Sequence, residues 1–186
     1  MRKLVLRWLF LLVLVIPLAA WMWVKPVRLL APGWLGYDCP PQGVCVEDAA
    51  QQATAQALYD DALMQVLLKL GPVQGKPRVV FCSTDACAQS FGMGGRAALT
   101  FGVAGTAVSP RGWQSYYLQH ELIHQLQTQH WGVIAVMLKP GWVIEGMAYA
   151  LSDDPRPQLA EPYQSEREVF RDWLTQADVQ RIWELL

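Results

Sequence analysis

The chain is short of the residues that most often build metal and redox sites. Only four of its 186 residues are cysteine and only three are histidine. The cysteines fall as Cys39 with Cys45 and Cys82 with Cys87, and neither pair has the C-x-x-C spacing of a thiolate zinc site. A metal site built on sulfur is therefore disfavoured. The short spacings around Pro40-Pro41-Gln42-Gly43 and Ser83-Thr84-Asp85-Ala86 suit tight disulfide loops instead, which an exported domain permits. No internal repeat or low-complexity tract appears, which argues against solenoid and array architectures. Basic charge is scarce beyond the amino terminus. Five of the 15 Lys and Arg lie at or before Arg28, leaving 10 against 16 acidic residues, a formal −6 from Leu29 onward. That balance disfavours nucleic acid and anionic lipid as partners of the main body.

The amino terminus carries an apolar run from Trp8 to Val24, with Arg2, Lys3 and Arg7 before it and Lys25 and Arg28 after it. This length is near the lower limit for a membrane-spanning helix, and Trp21-Met22-Trp23 has the look of an interfacial aromatic belt. A cleaved signal fits less well. The run is long for an h-region, and Leu18-Ala19-Ala20 is a poor small-x-small site. The flanking basic residues favour the amino end inside by a small margin. Either reading places the rest of the chain outside the cytoplasm. The expectation is a signal anchor over 1–28, a linker rich in proline and glycine over 29–45, and one domain over 46–186. That domain would lie in the cell envelope, on the periplasmic face if the cell is bacterial, and is long enough to bury a hydrophobic core.

Two of the three histidines stand in His120-Glu121-Leu122-Ile123-His124, an H-E-x-x-H sequence. Residues four apart on a helix lie about 40° from each other, so both imidazoles point from one face toward one ion. Glu121 can then reach water held by that ion. Ser109-Pro110 predicts the N-cap and first position of this helix, and Trp131-Gly132 predicts its stop. Gln119, Gln125, Gln127 and Gln129 offer it a polar side.

Two histidines need a third ligand. Glu145 is one candidate, in the short apolar helix expected after Pro140-Gly141 and ending near Ser152-Asp153-Asp154-Pro155. A carboxylate there needs a partner, and Gly146 beside it lets another backbone come close. His130 is the other, at the last position of the metzincin pattern H-E-x-x-H-x-x-G-x-x-H. That pattern needs a glycine where this chain has Gln127. A continuing helix turns His130 about 240° from His124 and carries it about 9 Å along the axis, away from the metal. Glu145 is therefore preferred.

His120-Glu121-Leu122-Ile123-His124 followed by Trp142-x-x-Glu145-Gly146-x-Ala148 resembles the gluzincin metallopeptidases, over residues 111–153. The resemblance implies one Zn²⁺ held by His120, His124 and Glu145, with Glu121 as general base. Three protein ligands leave a position for water, and zinc lowers the pKa of that water toward about 7. Tyr149, four residues after Glu145 and on the same helix face, is a candidate catalytic oxyanion donor, a role for which Tyr116 and Tyr117 compete.

The expected fold is α+β, a minimal zincin-like domain with a small sheet and a metal-binding helix pair behind one transmembrane helix. Its elements are a helix over Val46–Leu70, strands over Arg78–Cys82, Ala97–Phe101 and Gly105–Ser109, the two metal helices, and a helical tail over Ser165–Leu186. The apolar stretch Val133–Leu138 could line the substrate cleft, touch the membrane or sit in the core, and the core is the default. In gluzincins the sheet edge nearest the metal binds extended peptide by strand addition, which here implicates Ala97–Phe101. The leading function is a membrane-anchored zinc metallopeptidase acting on a peptide or protein substrate. The other class is a non-catalytic, zinc-containing binding or scaffold protein of the envelope.

Overall fold

The computed structural model of the chain describes residues 2–17, 19, 24–41, 44–178 and 181–186. It is α+β, mostly helical, with one small sheet. Strands β1 (Val44–Val46), β2 (Val79–Phe81), β3 (Ala98–Thr100) and β4 (Thr106–Val108) take the order β1-β2-β4-β3. β2 pairs in parallel with β1 and β4, and β3 runs antiparallel to β4 at the edge. Side chains alternate across a strand, so each strand feeds two cores. Val44, Val46, Val79, Phe81 and Val108 point to one face, while Cys45, Val80 and Ala107 point to the other.

The helices are α1 (Arg2–Phe10), α2 (Gln52–Leu70), α3 (Asp85–Ser90), α4 (Ser115–Leu138), α5 (Met147–Leu151), α6 (Tyr163–Leu174) and α7 (Ile182–Leu185). α2 and α4 cover the first face of the sheet. Ala55, Tyr59, Ala62 and Val66 of α2 meet Leu118, Leu122, Ile123 and Leu126 of α4 over the strands. The helix expected from Val46 starts only at Gln52. Val46 is used in the sheet, opposite Phe81, and Asp48 caps the intervening turn by accepting from the Ala50 amide at 3.0 Å. The tail expected as one helix is two, α6 and α7, with residues 179–180 outside the described ones.

The second face is covered by α3, the residues after it and residues read as linker. Leu29 is fully buried with Val80, Phe91 and Met93, and Arg78 donates to the Leu29 carbonyl at 2.8 Å. Asp38 bridges to Val46, and β1 itself lies where the linker was expected. Both expected disulfides are present, Cys39–Cys45 and Cys82–Cys87, and pin this layer to β1 and to the end of β2.

At the amino terminus α1 continues into a π-helical turn, Leu11–Val15, with its apolar side chains exposed. Residues 18 and 20–23 of the expected membrane-spanning run lie outside the described residues. Among the described residues, no helix is long and apolar enough to cross a membrane.

The start of α4 differs from expectation for a physical reason. Ser109-Pro110 opens a 3₁₀ turn, Pro110–Gly112, and the helix begins at Ser115. The Ser109 hydroxyl is already committed, donating to the Ala97 carbonyl at 2.9 Å, so it caps nothing. At the other end, Gly132 has φ 79° and ψ 157°, which breaks the helix as Trp131-Gly132 predicts, but a further helical stretch runs on to Leu138.

Candidate metal centre

His120 and His124 project from the buried half of α4, one turn apart. Glu145 arrives from a π-helical turn, Trp142–Gly146, that leads into α5. The ligand atoms converge. Nε2 of His120 and Nε2 of His124 are 3.1 Å apart, and the Glu145 carboxylate oxygens lie 3.4 Å and 3.7 Å from them respectively. A tetrahedral ion with bonds of about 2.0–2.1 Å separates its ligands by roughly 3.3–3.4 Å, a value these distances bracket. The His-His-Glu group can therefore hold a metal ion. Burial alone would raise the Glu145 carboxyl, but the bond from His120 and the fields of His124 and Arg96 hold it below its ordinary value.

The histidine tautomer is set by Gln127. This side chain is fully buried, and its amide donates to the Val143 and Ile144 carbonyls at 3.3 Å and 2.9 Å. Its oxygen is left to accept from Nδ1 of His124 at 2.8 Å. Nδ1 then carries the proton and Nε2 presents a lone pair to the ion, the arrangement that second-layer partners of metal histidines commonly enforce. Gln127 also ties the helix carrying the histidines to the backbone just before Glu145. Gln119, Gln125 and Gln127, expected on a polar side, are all buried, and only Gln129 of the four stays partly exposed, bonding the Gln74 backbone.

Close packing fixes the third ligand. A Cβ at Gly146 would lie 2.3 Å from the Glu166 carbonyl oxygen of α6, closer than any side chain tolerates. Glycine thus allows α6 to lie directly against the Glu145 turn, as the sequence suggested. Arg167 of α6 is buried at 1 % exposure and donates to the Arg156 and Pro157 carbonyls, holding the 152–159 loop beside the site.

The ligands line a cleft of about 540 Å³ that also takes in Glu121, β3 and four tyrosines, Tyr116, Tyr117, Tyr149 and Tyr163. Glu121 is 6 % exposed, and its Oε2 is buried without a hydrogen-bond partner among the described residues. Thr100 of β3 donates to its carbonyl at 3.2 Å, fixing the strand against α4. Tyr149 packs on the His120 ring with centroids 4.3 Å apart, whereas Tyr116 and Tyr117 pack on each other. Burial, helped by Glu145, pushes the Tyr149 hydroxyl up to about 12, so it remains a proton donor at neutral pH. Arg156 lies 5.3–5.9 Å from the centroids of Tyr117, Tyr149 and Tyr116, and is held by Asp154. Sequence reasoning gives Arg156 no role and reads Gln127 only as a polar helix former. The only available signal for Gln127 was its place three residues after His124, on the same helix face.

His130 takes no part. It stacks flat on Trp183, with centroids 4.2 Å apart, and desolvation there lowers its pKa. The apolar stretch Val133–Leu138, expected in the core, instead leaves Ile134, Met137 and Leu138 at 77–80 % exposure, while Val133 and Met137 form a lip of the cleft. No protein-family model, curated protein or solved structure matches the chain.

Proposed function

We propose that the protein is a zinc metallopeptidase of the gluzincin kind, anchored by its amino-terminal segment with the main body on the extracytoplasmic side of the membrane. The observation that carries this reading is the convergence of His120, His124 and Glu145 beside a buried, unpartnered Glu121 oxygen in one cleft. The donor set of two imidazoles and one carboxylate suits zinc and leaves room for a further ligand. Zinc, when bound, supplies Lewis acidity that polarises a peptide carbonyl and acidifies water.

The side chains do the rest. Glu121 takes a proton from the attacking water and delivers it to the departing amine nitrogen. Its low exposure removes competing solvent, and nothing else among the described residues occupies the oxygen that must accept the proton. Tyr149, protonated and packed on His120, donates to the oxyanion that forms as the carbonyl carbon becomes tetrahedral. β3 lines the cleft and has one strand neighbour among the described residues, so its edge suits an extended peptide added as a further strand. Two disulfides and the basic-flanked apolar run support an extracytoplasmic setting.

The test is hydrolysis of a mixed peptide pool followed by mass spectrometry. Glu121→Gln should lower turnover by about 10²–10⁴-fold while zinc content stays that of wild type. Full activity in that variant would defeat the enzymatic assignment. A biological role that survives it would leave a zinc-containing scaffold.

A further inference from the structure

The cleft contains positive charge that forms no ion pair with the metal ligands, although the field of Arg96 reaches Glu145, and that the proposed chemistry does not use. From Leu29 onward the chain is acidic overall, at −6, yet Arg96, Arg111 and Arg156 all line this cleft. Its carboxylates are Glu121, Glu145 and Asp154. Glu145 is taken up by the histidines, and Asp154 grips Arg156 through two bonds to Nε at 2.9 Å and 3.1 Å. Arg96 and Arg111 are left over. Among the described residues Arg111 has no hydrogen-bond or ion-pair partner, and Arg96 has only a 3.5 Å contact to the Met93 carbonyl.

The backbone segments that carry these two arginines meet beside the cleft. The Ala97 carbonyl, next to Arg96, accepts from both the amide and the hydroxyl of Ser109, at 2.8 Å and 2.9 Å. Gly112, next to Arg111, packs so tightly there that a Cβ would sit 2.1 Å from the Ala97 oxygen. The start of β3 and the turn before α4 are thus locked together, each carrying an arginine that lines the same cleft. Neither has a carboxylate partner among the described residues, and the guanidinium fork matches a carboxylate in two-point fashion.

We propose that Arg96 and Arg111 form a carboxylate-binding subsite, so the cleft selects peptides that present a carboxylate beside the metal centre. The carboxylate is either the free carboxyl terminus or an Asp or Glu side chain. Its consequence for cleavage rests on the peptidase reading; the binding preference does not.

The test uses the full chain, zinc-loaded and carrying Glu121→Gln so that peptides persist. Fluorescent peptides of one parent sequence are titrated by anisotropy: neutral and amidated, the same with a free carboxyl terminus, and amidated with one internal Glu. At least one carboxylate peptide should bind about tenfold or more tighter than the neutral one, as charge-assisted pairing predicts. The peptide that gains identifies the source. Adding Arg96→Gln and Arg111→Gln should erase the gain with zinc content unchanged. Should that variant fail to fold, high salt applied to the parent protein must erode the same gain. Equal affinity for all peptides, including no binding by any, overturns the subsite, as does a preference that survives both the double substitution and salt. Wild-type hydrolysis of the same peptides separates the two claims. A carboxylate preference without cleavage keeps the subsite and rejects the peptidase, and cleavage without preference does the reverse.

Discussion

Gly132 divides α4 into two stretches that depart from the ordinary rule of burial in opposite ways, beside the apolar core face of the first. Before it, Gln119, His120, Glu121, Gln125, Gln127 and Thr128 are polar and buried. Beyond it, Val133, Ile134, Met137 and Leu138 are apolar and exposed. Burying polar groups is unfavourable unless each finds a partner, so the first stretch has to be explained by what surrounds it. Lys69 reaches Gln119, Thr128 bonds back to the His124 carbonyl, and Gln127 joins His124 to the Glu145 turn. The converging Nε2 atoms of the two histidines can hold a metal ion with Glu145, while Nδ1 of His120, Oε2 of Glu121 and Nε2 of Gln125 keep no partner among the described residues. The second stretch carries no such demand and only borders the cleft. The helix thus carries the candidate metal site in one half and is a surface element in the other.

The contrast is most severely broken at Gly146, which positions the third ligand opposite the polar half. Gly146→Ala would drive a methyl group into the Glu166 carbonyl and against Phe170, with 2.3 Å and 3.2 Å available. We expect a loss of about 3 kcal/mol or more in denaturant unfolding, together with loss of bound metal, because α6 and the Glu145 turn must separate. Gln127→Leu should come next. It keeps the volume but strands Nδ1 of His124 and two backbone carbonyls, costing about 2 kcal/mol and weakening metal binding by roughly 10–100-fold in a competitive chelator titration. At the other extreme stands Ile134→Ser, on the exposed half. It should change stability by no more than about 0.5 kcal/mol and leave metal content untouched. If Ile134→Ser proved as damaging as Gln127→Leu, the division at Gly132 would have no energetic meaning.

The two halves were unequally legible in the sequence. Metal chemistry restricts both residue type and helical spacing, so His120, Glu121 and His124 announce themselves, and a carboxylate in an apolar stretch marks Glu145. Gln127 does not. A glutamine on a helix reads as a solvent-facing helix former, and its role exists only because a distant turn delivers the Val143 and Ile144 carbonyls. Ser109 misled for a similar reason: its capping hydroxyl is captured by Ala97, twelve residues earlier. β1 is too short for an alternating pattern to register, and its pairing with β2 depends on contacts more than thirty residues away. The residues read as linker carry proline and glycine, yet Leu29 supplies core, which composition does not reveal. Val133–Leu138 failed in the opposite sense, since hydrophobicity alone does not say which side of a kink faces solvent.

The central claim is that one metal ion sits between His120, His124 and Glu145. It is tested most directly by elemental analysis of the full chain, purified folded and without chelator, as wild type, Glu145→Ala and His130→Ala. The expected result is about one zinc per chain in wild type and His130→Ala, and a large loss in Glu145→Ala. Zinc retained in Glu145→Ala but lost in His130→Ala, or no metal in any folded sample, would contradict it.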